Sequence, residues 1–309
     1  MPTVFIDGAA GTTGLEIAER LAGRPEFTLL GLEETRRKDP AARREALNEA
    51  EFAILCLPDD AAREAVALID PASGVRVIDA STAHRVEEGW TYGFPEVVGR
   101  GAVANARRVS NPGCYSTGFI ALLAPLVRAG LLPADWPYTC HAVSGYSGGG
   151  KSLIARFEED GDIAWRGYAL GLDHKHVPEM QAHAGIARAP LFTPAVVPAH
   201  RGMVVEVPLP LAAMPGAAPA DALRAGLAEF YAGSRVVRMG TPPAEGELLL
   251  RRSQAPSDAM ELHVFAAPDG SQARLVAVLD NLGKGASGAA VQSFNLMAGL
   301  DETAGLRLP

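Results

Sequence analysis

The residues with the sharpest chemical potential lie in one run, Ser110-Asn111-Pro112-Gly113-Cys114-Tyr115-Ser116-Thr117-Gly118, followed by an apolar, helix-like stretch over 119–127. A cysteine just past Pro-Gly and at the mouth of a helix is not in a packing position. The helix dipole and the unused N–H groups of the first turn favour a thiolate and can hold an oxyanion, which makes Cys114 a candidate nucleophile. The bland alternative is a small apolar cysteine at a turn. Such a nucleophile needs a proton carrier, and DHKHVPE at 173–179 offers His174 and His176, with Glu179 three residues past the second. Either histidine can serve as acid or base, with Glu179 orienting it. No other Cys/His cluster supplies matching ligands, so no metal is expected. A third segment, SGYSGGGKS at 144–152, formally contains the G-x-x-x-x-G-K-S pattern of phosphate loops. An acid to hold Mg²⁺ is hard to place, and the chain opens with a better nucleotide site. The pattern is therefore read as a decoy, a Gly-rich loop whose N–H groups bind substrate phosphate or carboxylate.

That better site is the N-terminus. The β-branched and apolar run TVFID leads into Gly8-Ala9-Ala10-Gly11-Thr12-Thr13-Gly14, and Leu15, Ala18, Leu21 and Ala22 then recur at helical spacing. Strand, glycine turn and helix form the dinucleotide-binding arrangement, in which the helix N-terminus meets a pyrophosphate and glycines let the backbone approach it. The spacing G-x-x-G-x-x-G is a variant of the usual one. Residues 27–32 read as the second strand. Glu33 and Glu34 follow, and then Arg36, Arg37 and Lys38 stand where the adenosine ribose is read; arginine there suits a 2′-phosphate, hence NADP(H) over NAD(H). Asp39-Pro40 opens a helix to about residue 50, 52–57 is an apolar strand, Pro58-Asp59 opens another helix, and 75–79 is a further strand. The alternation predicts a doubly wound parallel sheet of α/β class. Ser81, at the carboxyl end of the last of these strands, lies where such sheets bind ligands, with His84 and Arg85 just beyond. Later segments change character. Residues 203–211 alternate as a strand, and 262–267 and 273–280 flank a Pro268-Asp269-Gly270 turn as a hairpin, marking a second, α+β domain.

Composition narrows the classes. The 309 residues are 48% hydrophobic and 21% charged, which excludes a disordered chain, and a net charge of −8 argues against nucleic acid as partner. Three cysteines (Cys56, Cys114, Cys140) are too few and odd for a disulfide framework and fit a reducing compartment. The start lacks a basic, apolar leader, and the longest apolar run is too short to span a membrane, so a cytoplasmic protein is expected. Only four lysines stand against 24 arginines, and two of them, Lys151 and Lys284, sit in Gly-rich segments.

Four segments carry a family resemblance: NPGCYSTG at 111–118, DHKHVPE at 173–179, AHRGM at 199–203 and DNLGKGASGAA at 280–290. Together they resemble the N-acetyl-gamma-glutamyl-phosphate reductases of arginine biosynthesis, relatives of aspartate-semialdehyde and phosphorylating glyceraldehyde-3-phosphate dehydrogenases. The length and DASTAHR at 79–85 resemble the short type. The resemblance implies a Rossmann-type NADP-binding domain over 1–117 and 285–309 and a catalytic domain over 118–284. It implies Cys114 as nucleophile, His176 as acid/base and Glu179 behind it. Gly8, Ala10, Gly11, Thr12, Thr13, Gly14, Arg36, Ser81, Asn281 and Lys284 are expected at the cofactor. Asn111, Ser144, Gly145, Ser147, Lys151 and Arg201 are expected at the substrate. A homo-oligomer, dimer or tetramer, is implied as well. The implied reaction takes the γ-acyl phosphate of N-acetylglutamate to a Cys114 thioester, then by hydride from NADPH to the 5-semialdehyde. The rivals are an aspartate-semialdehyde dehydrogenase, a reductase of longer acyl phosphates, and a non-catalytic NADP-binding sensor.

Overall fold

The run TVFID forms strand β1 (Thr3–Asp7), and helix α1 (Thr12–Leu21) follows it across the glycine turn. A computed structural model describes residues Met1–Pro309, the side chain of Ala244 excepted. The chain divides into two units, Met1–Gly113 with Ala286–Leu306, and Cys114–Gly285 with Arg307–Pro309.

The first unit continues through β2 (Thr28–Leu30), α2 (Pro40–Glu49), β3 (Phe52–Leu55), α3 (Asp59–Ala67), β4 (Arg76–Asp79), β5 (Thr91–Tyr92), the short helices α4 (Pro95–Val98) and α5 (Arg100–Asn105), and β6 (Arg108–Ser110). Its sheet runs β2-β1-β3-β4-β6-β5 with every pairing parallel, the doubly wound arrangement that the alternation of elements predicts. Asp39 accepts the Ala41 N–H at 2.9 Å ahead of Pro40, so α2 begins where its capping residues direct. Successive side chains of a strand point to opposite faces. Val4 and Ile6 accordingly join Ile17, Leu21, Ile54 and Ile78 on one face, while Phe5 joins Leu47, Ala53, Leu55 and Val77 on the other. The first face is completed by the last helix, Gly288–Met297, whose Phe294 meets the edges of Phe27 and Phe52 at 5.0 and 5.3 Å. Burying each such side chain contributes about 1.5–3 kcal/mol. Arg76 fastens the same helix by donating to the carbonyls of Ala104, Ala106 and Met297.

The second unit opens with α6 (Cys114–Arg128), followed by β7 (Thr139–Gly145), α7 (Gly150–Glu159), β8 (Arg166–Gly167), α8 (Val177–Ala184), β9 (Leu191–Val197), β10 (Met203–Leu209), α9 (Ala220–Phe230), β11 (Val237–Met239), β12 (Met260–Ala266) and β13 (Ala273–Leu279). The seven strands form a mixed sheet in the order β11-β12-β13-β10-β7-β9-β8. β12 and β13 pair antiparallel in full register, as the Pro-Asp-Gly turn predicts. Helix α6 is buried along nearly its whole length against β10 and β13. Gly118 permits the approach: a Cβ there would stand 2.7 Å from a Val205 methyl. Among the described residues no helix is long and apolar enough to cross a membrane.

Candidate active site

In the first unit the glycine turn is built as a cradle. Gly8 holds φ +88°, and a Cβ on it would fall 2.3 Å from the Cys56 carbonyl oxygen. A Cβ on Gly14 would fall 2.4 Å from the Gly8 carbonyl oxygen, so the outer two glycines serve turn and packing. A Cβ on Gly11 would meet only the Gly8 carbonyl oxygen, at an ordinary 3.5 Å, and no side chain caps α1 there. The N–H groups of Thr12 and Thr13 at that start, beside Ala10, have no capping side chain, and uncapped donors of this kind suit a phosphate. The cradle fits a dinucleotide. Arg36 is exposed beyond β2 and lies 3.7 Å from Glu45.

At the carboxyl end of β4 a buried cage closes around Asp79. Its carboxylate accepts from the Ser81 N–H at 2.9 Å, from the Ser81 hydroxyl at 2.6 Å and from His84 Nδ1 at 2.6 Å. The His84 ring stacks on Trp90 at 4.2 Å. The hydroxyl of Ser81 is thus committed to the fold. Buried Arg85 donates through Nε to the Asn111 carbonyl at 3.0 Å, and Asn111 Nδ2 donates to the Ala286 carbonyl at 3.0 Å. Arg85 belongs to a segment the sequence offered only as a neighbour of Ser81; its burial is what marks it.

In the second unit Cys114 is the first residue of the fifteen-residue helix α6, the end at which the peptide dipoles favour negative charge on sulfur. Gly285 abuts it, since a Cβ there would sit 2.9 Å from Cys114 Cβ. The first turn of α6 also brings in the histidines. Ser116 donates to the His176 carbonyl at 3.4 Å, and the Tyr115 ring lies 5.9 Å from the rings of both His174 and His176. His176 ends the loop before α8, and its Nε2 stands 3.9 Å from the buried Glu179 carboxylate, an ion-pair separation longer than a hydrogen bond. His174 is engaged at both ring nitrogens: Nδ1 accepts the His176 N–H at 3.1 Å, and Nε2 lies 3.2 Å from the Tyr168 hydroxyl. An Nδ1 that accepts carries no proton, so in the neutral ring the proton is on Nε2, facing Tyr168.

Tyr168 is the residue that motif reading missed. It follows β8, and no short pattern announces it. Burial and the nearby Cys114 charge push its hydroxyl up to about 12, against the pull of Tyr115 and Arg166. Burial likewise holds the Tyr115 hydroxyl well above its ordinary value, and both remain neutral donors at physiological pH. Neither other cysteine competes as a nucleophile. Burial, with Asp79 and Asp7 beside it, pushes the Cys56 thiol up to about 12, and burial raises Cys140 further.

The loop after β7 is stitched down. The N–H groups of Gly145, Tyr146 and Ser147 donate to the carbonyls of Gly202, Ala199 and His200 at 2.8, 2.9 and 3.1 Å. Three donors that a phosphate loop would present to nucleotide are therefore spent inside the fold, and Lys151 stands exposed on the first turn of α7. Ser144 donates to the Gly145 carbonyl at 2.9 Å, and the Tyr115 hydroxyl donates to the Ala195 carbonyl at 3.0 Å. Arg201 Nη1 pairs with the buried Asp280 carboxylate at 2.9 Å, and the Asn281 carboxamide bridges Ser147 and Gly202. Lys284 is fully buried in the turn that follows. Cys114, His176, Glu179, Ser144, Ser147, Arg201, Asn281 and Lys284 thus lie in the second unit, and the glycine turn, Arg36, Ser81 and Asn111 in the first.

A family model described as "Semialdehyde dehydrogenase, NAD binding domain" matches residues 3–106, and one described as "Semialdehyde dehydrogenase, dimerisation domain" matches 114–281. Aspartate semialdehyde dehydrogenase II of Vibrio cholerae shares the fold at a TM-score of 0.69 with 20% identity, over 96% of this chain and 98% of that one. By class this is a semialdehyde dehydrogenase with a domain for a nicotinamide cofactor. The N-acetyl-gamma-glutamyl-phosphate reductase of Burkholderia ambifaria is 52% identical over 97% of each chain. N-acetyl-gamma-glutamyl-phosphate reductase 2 of Pseudomonas putida is 52% identical over 96% of this chain and 97% of that one. The chain belongs to the N-acetyl-gamma-glutamyl-phosphate reductase family, as its four motifs indicate.

Proposed function

We propose that this protein reduces N-acetyl-L-glutamyl 5-phosphate to the 5-semialdehyde with release of phosphate, through a thioester on Cys114 and with NADP(H) as cofactor. The observation that carries the reading is Cys114 as the first residue of α6, with the backbone of His176 tied to that helix's first turn. The glycine cradle, the start of α1 and Arg36 hold the dinucleotide, and Arg36 supplies the preference for a 2′-phosphate. Bound there, the reduced nicotinamide supplies a hydride to the acyl carbon. The Cys114 thiolate attacks that carbon first: the C–S bond forms, the bond to the phosphate oxygen breaks, and phosphate leaves with the electron pair. When the thioester carbon becomes tetrahedral, His176 lends a proton to its oxygen. It takes the proton back as the C–S bond breaks and the aldehyde leaves. His174, engaged at both ring nitrogens, braces His176 and Tyr168 instead of carrying the proton. Ser144, Ser147 and Lys151 face the phosphate or carboxylate of the substrate. The enzyme works in the cytoplasm as a homodimer or tetramer and serves arginine biosynthesis.

The reverse reaction tests this. Oxidation of N-acetylglutamate 5-semialdehyde by NADP should require phosphate, with arsenate able to substitute, because only an external acceptor cleaves the acyl-enzyme to acyl phosphate. Aspartate semialdehyde, which lacks one methylene and the acetamide, should be poorer by at least tenfold in kcat/KM; one methylene gives about 1–3 kcal/mol. Oxidation that proceeds without phosphate removes the mechanism, and a preference for the shorter aldehyde removes the substrate.

A further inference from the structure

The structure assigns Asn281 a role as a positioning residue: its carboxamide fixes the direction of the Ser147 hydroxyl proton, keeping Ser147 a hydrogen-bond donor to the charged oxygens of the acyl phosphate. This rests on the reading of the site as an acyl-phosphate site. Asn281 is 1% exposed, in the turn after β13. Its Oδ1 accepts the Gly202 N–H at 2.9 Å, and its Nδ2 donates to Ser147 Oγ at 3.0 Å. The orientation of the amide is decided by the backbone. An N–H can only donate, so the oxygen must face Gly202 and the nitrogen must face Ser147. Ser147 therefore spends a lone pair on Asn281, and its single proton is aimed elsewhere. Ser147 is itself 1% exposed, and among the described residues nothing accepts that proton. A buried hydroxyl left in this state is rare in a finished interior and common where a ligand completes the bonding.

The neighbourhood is that of Cys114. The Tyr115 hydroxyl, one residue past Cys114, donates at 3.0 Å to the carbonyl of Ala195, which pairs with Val143 next to Ser144 on β7. The Asp280 carbonyl, one residue before Asn281, accepts the N–H of Gly285 at 3.0 Å, and Gly285 abuts Cys114. The charged groups around the turn are Asp280 with its partner Arg201, Asp258 beside Gly283, and Lys284.

Asn281→Asp separates positioning from packing. A carboxylate can accept from both Gly202 N–H and the Ser147 hydroxyl, so both contacts survive while the Ser147 proton is turned inward and lost to substrate. At pH 8 kcat should fall by roughly 10²-fold, the effect of removing one donor of the oxyanion-hole kind, with the melting temperature nearly unchanged. Ser147→Ala should lose a similar factor, and the double variant should be no slower than either single one. Lowering the pH should restore Asn281→Asp and not Ser147→Ala, because a protonated carboxyl donates to Ser147 as the amide does. Wild-type kcat in Asn281→Asp at pH 8, losses that multiply in the double variant, or an unaltered pH profile would each overturn the assignment. Ser147→Ala with wild-type kcat overturns it even if Asn281→Asp fails to fold. Failure of the acyl-phosphate reading itself appears separately, as phosphate-independent oxidation by the unsubstituted enzyme.

Discussion

Replacing Gly285 with alanine tests how tightly the nucleophile is held. Gly285 does not have a positive φ, so the backbone accepts a side chain, and the whole effect comes from the added methyl. That methyl would stand 2.9 Å from Cys114 Cβ, 3.1 Å from the Asp280 carbonyl oxygen and 3.3 Å from Cys114 Cα. Carbon pairs settle at about 3.5–4.0 Å, so Cys114 or the turn must yield by about 0.6 Å or more. Overpacking of this kind costs about 1–3 kcal/mol, and the gain of about 0.4–1 kcal/mol from restricting the unfolded chain offsets part of it. The net destabilisation is then about 1–2 kcal/mol. Activity should suffer more, because displacing a reacting group by about 1 Å costs on the order of 10²-fold in rate. The assays are thermal denaturation, kcat, and the rate at which iodoacetamide alkylates Cys114. Gly161→Ala, with nothing within 4 Å of the new methyl, is the control and should leave all three unchanged. A Gly285→Ala enzyme with kcat within threefold of wild type would refute the reasoning, since the methyl would then have been absorbed without moving the sulfur.

At pH 8 a thiol reagent should label Cys114 alone in the folded protein, because Cys56 is pushed up to about 12 and Cys140 is raised by burial; mass spectrometry of the digest reads the site. Arg36→Ala should weaken NADP(H) by about tenfold or more while leaving NAD(H) nearly unchanged, measured by cofactor titration. His176→Asn should lower kcat by about 10²–10⁴-fold with cofactor affinity unaltered, and His174→Asn should do less; the reverse ranking moves the proton carrier to His174. Burial holds the pKa of His263 below its ordinary value, so its neutral form belongs to the fold. Its contribution is present above about 6.5, the unfolded value, and is lost as pH falls through the lower folded value. Denaturant titrations between pH 7 and 5 should show a shallower loss of stability in His263→Gln than in wild type.

What the sequence discloses is what neighbouring residues decide among themselves. The glycine turn after β1, the Asp39-Pro40 start of α2 and the position of Cys114 at a helix mouth are all settled within a few residues, and each is legible. Strand β9 is not. Pro194 lies inside it, which argues against a strand between two others, yet β9 pairs with both β7 and β8. The Pro194 carbonyl still accepts, from the Tyr168 N–H at 3.4 Å. Tyr168 was invisible because its value comes from His174 and Cys114, reached only through the folded sheet. Ser81, Arg201 and Asn281 show how the fold adds partners that no motif announces. Each has the side chain of a ligand contact, and in the fold Asp79, Asp280 and the Ser147–Gly202 pair engage those side chains as well. Side-chain type says what a residue can bond; only the fold says which partner it meets.

The last helix, Gly288–Met297, has a consequence for how the chain comes into being. Ala290, Val291, Phe294 and Met297 belong to the core around Val4, Ile6 and Ile54, yet the ribosome makes them after the whole of residues 114–285. The N-terminal portion, first to emerge, spends most of synthesis with one face of its sheet bare. The second unit is nearly continuous in sequence, and all of it but Arg307–Pro309 is made before that face is covered. Domains generally fold as units and N-terminal ones first during translation; here the order is inverted by where one helix is encoded. Released chains truncated after residue 285 should therefore resist protease in the 114–285 region while the first hundred residues are still cut, and the full chain, which carries Phe294, should resist throughout.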